Sequence, residues 1–156
     1  MAYSLGKKFE ERVKKDWEET LPNSLILRLA DQQSGYYGQS SNPSDYIGFT
    51  NKKLFLIECK ETKENTFNFA KLTQYEKLVE YNKYDDTYPG LLLWFSKHDK
   101  VIWVNISEFV KMKNDGNKSI NIKMLDDNKY IIHQIPAVKL RTFMRCDFTY
   151  FNSIQK

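Results

Sequence analysis

The sequence predicts an α/β domain whose central sheet is covered by helices on both faces. Three observations carry this expectation. Residues 4–20 have helical periodicity, with Phe9, Val13 and Trp17 recurring at i, i+4 and i+8. Ser44–Phe49 and Leu54–Glu58 read as two strands joined at Asn51-Lys52, and the second is apolar on both of its faces, as in a strand buried from two sides. Leu91–Phe95 is a continuous apolar run that Val101–Asn105 can pair with, and a short helical pattern follows it. At 156 residues and 41% hydrophobic content, the chain suits one domain with one real core.

The elements follow in order. Ser4 is placed to cap the first helix, and Pro22-Asn23 ends it. Glu10 lies beside the apolar stripe rather than opposite it, either facing a cleft or on a solvated flank. Leu25–Ala30 reads as a strand. Asp31–Asn42 is polar and glycine-bearing, and so reads as a long loop. Within it, Tyr36 and Tyr37 either offer rings to nucleic-acid bases or rest on the surface. After the two strands, Lys60–Asn65 reads as a charged exit loop. Thr73–Glu76 has capping-box spacing, which predicts a helix from about Gln74 to Asn82 with Leu72, Tyr75, Leu78 and Val79 on its apolar face. Pro89-Gly90 reads as a turn, and Ser107 as the cap of a helix over 106–113. Residues 120–125 and 130–135 suggest a peripheral hairpin turning at 126–128, broken by Pro136. The last twenty residues fit either helix or extended chain, and residues 114–156 together read as a peripheral extension of one domain.

Net charge is +4 and the isoelectric point about 8.9, a mild basic bias compatible with an acidic partner. Two cysteines, Cys59 and Cys146, are too few for a disulfide framework. With only His98 and His133 beside them, they do not form a zinc pattern either. No apolar run approaches the roughly 18 residues of a membrane span. The expectation is a cytoplasmic protein with reduced thiols.

The chemistry concentrates in the two-strand unit. Asp45 opens the first strand, Glu58 closes the second, and Lys60 returns to the face of Glu58 two residues later. Opposed side chains on antiparallel neighbours lie about 5 Å apart. Two carboxylates so placed can grip a hard divalent cation such as Mg²⁺, with the carbonyl of Cys59 as a further oxygen ligand. Such an ion activates water and stabilises charge at phosphorus, and Lys60 can orient the water and steady the phosphate. Glu-x-Lys alone is common, usually as a surface ion pair. Its position at the end of a buried strand beside a second acid is what raises it above chance.

These residues, with others in order along the chain, resemble the PD-(D/E)xK nucleases and, within them, the RecU family of Holliday junction resolvases. Gly6-Lys7-Lys8-Phe9-Glu10 resembles the first-helix motif, Ser44-Asp45-Tyr46-Ile47-Gly48 the stretch bearing the first metal ligand, and Ile57-Glu58-Cys59-Lys60-Glu61-Thr62-Lys63 the run bearing the second ligand and the lysine. Pro43 stands one residue earlier than the proline of the superfamily name. The resemblance spans about residues 4–110. It implies a restriction-endonuclease-like core with a central mixed sheet flanked by helices. It also implies a catalytic set of Glu10, Asp45, Glu58, Lys60 and Gln74, with Mg²⁺, or Mn²⁺ in its place, on Asp45, Glu58 and the Cys59 carbonyl. Ser44 stands where the family has a hydroxyl near the site. Asp31–Pro43 would be a stalk-like insertion entering the junction.

A homodimer is implied too, since cutting two opposed strands of a four-way junction takes two symmetry-related sites. Lys7, Lys8, Arg28, Tyr36, Tyr37, Ser44, Lys63 and Lys71 are the candidate DNA contacts, and Lys139, Arg141 and Arg145 form a further basic set. The Lys- and Asn-rich composition suits a bacterial or phage-infected cell. Two other readings stay open: a nuclease of this fold with another DNA target, restriction- or flap-type, and a non-catalytic junction-binding accessory protein.

Overall fold

The computed structural model describes residues 4–30 and 42–156. Most of the predicted loop, with Tyr36 and Tyr37, lies outside the described residues. Helix α1 spans Leu5–Thr20, and Ser4 caps it by accepting from the Lys7 amide at 3.2 Å. Strands β1 (Leu25–Arg28), β2 (Tyr46–Thr50) and β3 (Lys53–Thr62) form an antiparallel meander. The β2–β3 turn is two residues long, and Asn51 and Lys52 both take positive φ, as a twist-matched hairpin turn requires.

From β3 the chain passes through β4 (Thr66–Asn68), a short 3-10 turn at Phe69–Lys71 and α2 (Tyr75–Tyr81). It re-enters the sheet as β5 (Thr87–Phe95), parallel to β3 from Leu54↔Thr87 to Thr62↔Phe95. Then β6 (Lys100–Asn105) runs antiparallel to β5 and leads into α3 (Ile106–Asn114). A short β7 (Ser119–Asn121) pairs with β4, and β8 (His133–Ile135) adds to the edge of the main sheet beside β6. Finally β9 (Ala137–Lys139) and β10 (Met144–Cys146) pair with each other, and a 3-10 helix covers Phe148–Ser153. Among the described residues the main sheet is mixed and six-stranded, in the order β1-β2-β3-β5-β6-β8, with helices on both faces.

Each face buries its own cluster. Under α1, Phe9, Val13 and Trp17 meet Phe55, Ile57 and Cys59 of β3, together with Trp94, Trp103, Phe148 and Phe151. Under α2 and α3, Leu56 meets Leu78, Leu91, Leu93, Val104 and Phe109. The alternation of β3 thus assigns its odd residues to α1 and its even residues, including Glu58 and Lys60, to the α2–α3 face. Gly48 is required by packing, since a Cβ there would come 2.7 Å from the Trp17 ring.

The structure corrects five expectations. Lys60–Thr62 are strand, not exit loop, because β5 pairs with β3 as far as Thr62↔Phe95. Pro89 and Gly90 lie inside β5, not in a turn. At Pro89 only β3 is a neighbour, since the pairing with β6 starts at Gly90↔Asn105, and Gly90 admits the Trp103 ring and the Val104 carbonyl. Helix α3 is capped at Asn105, whose side-chain amide donates to the Ser107 hydroxyl at 2.7 Å. The 120–135 hairpin does not form, because β7 joins β4 and β8 joins β6. The C-terminal segment is not peripheral either: Met144, Cys146, Phe148, Phe151 and Ile154 are part of the core under α1.

Candidate active site

The carboxylate pair is built by strand register. The β2–β3 ladder ends at Tyr46↔Ile57, and the Asp45 amide continues it by donating to the Ile57 carbonyl at 3.1 Å. From the other side, the Leu29 amide donates to the Asp45 carbonyl at 2.9 Å. Asp45 is therefore clamped between the ends of β1 and β3, one register step from Glu58. Its side chain accepts from the Cys59 amide at 2.8 Å, which fixes the carboxylate against β3.

Glu58 is only 2% exposed. One of its oxygens, Oε1, faces Lys60 Nζ at 3.2 Å. The other, Oε2, is buried with no hydrogen-bond partner among the described residues. A buried carboxylate oxygen without a donor is costly, so such atoms are rare and call for an explanation. Burial pushes the Glu58 carboxyl up from its ordinary value, and the nearby Asp45 charge adds to this against the pull of Lys60. Burial likewise pushes Asp45 up, with Glu10 adding to it and the Cys59 amide opposing it. Two neighbouring carboxylates whose ionisation burial opposes, Glu58 with the Asp45 charge adding to it, are what a cation between them would relieve.

The remaining predicted residues divide. Glu10 reaches this end of the sheet from α1, where its carboxylate meets Arg28 at 2.6 Å and Lys7 at 3.8 Å. Tyr46 locks that approach, since its hydroxyl donates to the Glu10 carbonyl at 2.8 Å. Sequence reading alone assigns Tyr46 no role; its position next to Asp45 was the available signal. Lys60 remains 30% exposed, at the mouth of the site.

Gln74 is the N-terminal cap residue of α2, above the sheet face that carries Glu58, but its side-chain oxygen accepts from Thr73 at 2.9 Å and it makes no side-chain cap. Its described hydrogen bond therefore does not join it to the carboxylates. Ser44 is buried, and its hydroxyl donates to the Tyr46 carbonyl at 2.8 Å. It shapes the chain ahead of Asp45 instead of presenting a surface hydroxyl. Lys8 is half-buried on α1, while Lys63 and Lys71 are exposed beyond β3 and in the 3-10 turn.

Among the described residues, no three Asp, Glu, His or Cys side chains converge as a ready-made metal cage. The pair instead fits a cation that takes one or two protein carboxylates and completes its shell with water and substrate phosphate, as Mg²⁺ does. The unpartnered Glu58 oxygen is the observation that supports this fit.

A family model described as RecU, recombination protein U, matches residues 23–146. The match includes Asp45, Glu58, Lys60 and Gln74 and leaves α1, with Glu10, outside it. No curated protein sequence matches this one significantly. Among solved structures, Hjc of Archaeoglobus fulgidus, a Holliday junction resolvase from an archaeal hyperthermophile, is similar at a TM-score of 0.43 and 17% identity, over 66% of this chain and 78% of that one.

Proposed function

The chain belongs to the RecU family, recombination protein U, and on that premise we propose that it is a divalent-metal-dependent endonuclease that resolves Holliday junctions by phosphodiester hydrolysis. The observation that carries the metal dependence is the buried Glu58 beside the half-buried Asp45, with one Glu58 oxygen unpartnered among the described residues. In this reading Asp45, Glu58 and the Cys59 carbonyl hold Mg²⁺, or Mn²⁺ in its place. The ion supplies Lewis acidity at phosphorus and a lowered pKa for water.

The chain's own residues do the rest. The Cys59 amide keeps Asp45 from rotating away. Lys60, with one side on Glu58 and the other toward solvent, holds a phosphate oxygen and orients the attacking water. Water oxygen adds to phosphorus and gives its proton to solvent, the P–O bond to the leaving sugar oxygen breaks, and that oxygen takes a proton from solvent. Glu10 sets the charge around Asp45 from α1, and Arg28 holds its carboxylate in place. Gln74 serves the same face from the start of α2 once DNA draws it from Thr73.

The proposed assembly is a homodimer. Beyond the reach of α2 and α3, the same sheet face continues onto β1 and β2, where Leu25, Leu27 and Phe49 are exposed. A second copy covering that face would bring two sites to one junction. The test is nicking of a synthetic four-way junction with and without Mg²⁺, run beside Asp45→Asn and Glu58→Gln. Both variants are expected to bind the junction without cutting it, and wild-type cutting by either overturns the assignment. Competition with linear duplex separates a junction enzyme from a nuclease with another target. A Leu27→Asp/Phe49→Asp double variant is expected to sediment as a monomer.

A further inference from the structure

On the flank of α1 away from Glu10, the tip of the β9–β10 hairpin closes against the helix and forms a groove of about 280 Å³. Its lining is Lys8, Glu11, Arg12, Lys15, Thr142 and Phe143. Lys8, Arg12 and Lys15 recur at i, i+4 and i+7, so they form one stripe. Hydrogen bonds and a ring contact tie the two walls of the groove together. Asp16, behind it, accepts from Arg12 at 2.8 Å and from the Cys146 amide at 2.9 Å, joining α1 to β10. The Arg12 guanidinium lies 4.5 Å above the centre of the Phe143 ring. With Arg12 balanced by Asp16, the charges left for an occupant are two lysines and one glutamate, and Arg141 at the exposed hairpin turn adds another cation.

We propose that this groove is a backbone-phosphate track for a duplex arm of the DNA cut at the carboxylate site, with Lys8 and Lys15 as its contacts. The proposal rests on the nuclease reading and extends it to a second surface. Glu10, which reaches toward the carboxylates from α1, and the groove lie on opposite flanks of one helix, whose diameter with side chains is about 10–12 Å. One DNA strand carries a charge about every 3.4 Å along its axis, so about three phosphates span that width. Contacts of Lys8 and Lys15 to backbone phosphates carry no information about branching, so the track recognises duplex. It therefore adds affinity for a four-way junction and for linear duplex alike and leaves the ratio between them unchanged.

Binding is measured in EDTA, by titrating wild-type and variant proteins with a four-way junction and with linear duplex over a range of salt. Lys8→Ala/Lys15→Ala is expected to weaken both about tenfold and to lower the slope of log affinity against log salt by about 2, close to one per lost phosphate contact. Glu11→Gln, which removes the groove's acid, is expected to tighten both about threefold. Lys14→Ala is the control: it lies off the stripe, paired with Glu18 at 3.8 Å, and is expected to change little. An unchanged slope in the double variant, an equal effect of Lys14→Ala, or loss of junction binding alone overturns the proposal. If the wild type binds and cuts junctions while the double variant keeps its slope, only the groove is wrong. A wild type that binds neither DNA sinks the nuclease reading and the groove together.

Discussion

Asp16 and Glu58 are both carboxylates sealed inside this protein, at 1% and 2% exposure, yet they sit in opposite circumstances. Asp16, at the α1–β10 junction, accepts from Arg12 and from the Cys146 amide, and those donors oppose the burial that pushes its carboxyl up. Glu58 has a lysine on one oxygen and no partner among the described residues on the other, and its strongest influence after burial is another carboxylate. Burial alone therefore does not mark a functional acid. The mark is burial left uncompensated, because a fold without use for such an atom would gain by removing it.

Substitutions test this contrast, starting with the largest effect. Glu58→Gln or Asp45→Asn is expected to lower junction cleavage by at least about 10²–10³-fold in a single-turnover assay, whereas Asp16→Asn leaves the single-turnover rate of the folded protein nearly intact. Stability should move the other way. Asp16→Ala orphans the Cys146 amide and leaves Arg12 with only its longer contact to Glu19, and is expected to cost about 2–3 kcal/mol in urea denaturation. Glu58→Gln in metal-free protein removes a desolvated charge from beside Asp45, and is expected to stabilise by on the order of 1 kcal/mol. If both acids destabilise equally when replaced, the distinction between them fails.

Smaller effects sharpen the same contrast. Asp45 and Glu58 bind protons more tightly in the folded than in the unfolded chain. Their contribution to stability is thus complete below ordinary carboxylate values and is lost as pH rises toward neutrality and they ionise in the fold. Thermal denaturation in EDTA should show that decline, and Glu58→Gln should flatten it. Mg²⁺ at about 100 times its dissociation constant should restore about 2.7 kcal/mol to the wild type at neutral pH and much less to Glu58→Gln.

How far the sequence reveals these arrangements depends on how local their causes are. Helix α1 and the β2–β3 hairpin are legible because periodicity, a capping serine and a two-residue turn act over a few positions. That Asp45 comes near Glu58 follows from the same hairpin, since the turn sets the register as far as Tyr46↔Ile57. The end of β3 is not legible. Lys60, Glu61 and Thr62 look like loop, and are held extended only because β5 runs beside them to Phe95. Pro89-Gly90 looks like a turn for the converse reason, since only the point where the β6 pairing starts makes room for it. Beyond residue 130 the strands are three residues long, too short for alternation to show, and their partners lie far off in sequence. Gln74 had the right helix but not the contact, because a neighbouring threonine holds its side chain.

The bonds that close the α1 face have a consequence for how the protein comes into being at the ribosome. Cys146 meets Asp16 across 130 positions, Phe148 meets Thr20 across 128, and Asn152 meets Thr50 across 102. At about 5–20 residues per second, translation takes about 6–26 s to cross the longest of these gaps. During that interval the aromatic surface of α1 and β3 has no lid, so the nascent chain is a client for chaperones and is prone to association. Contacts of such long range also slow folding once the chain is released. A chain stalled before Cys146 therefore leaves the α1 face open, a sticky intermediate without its lid.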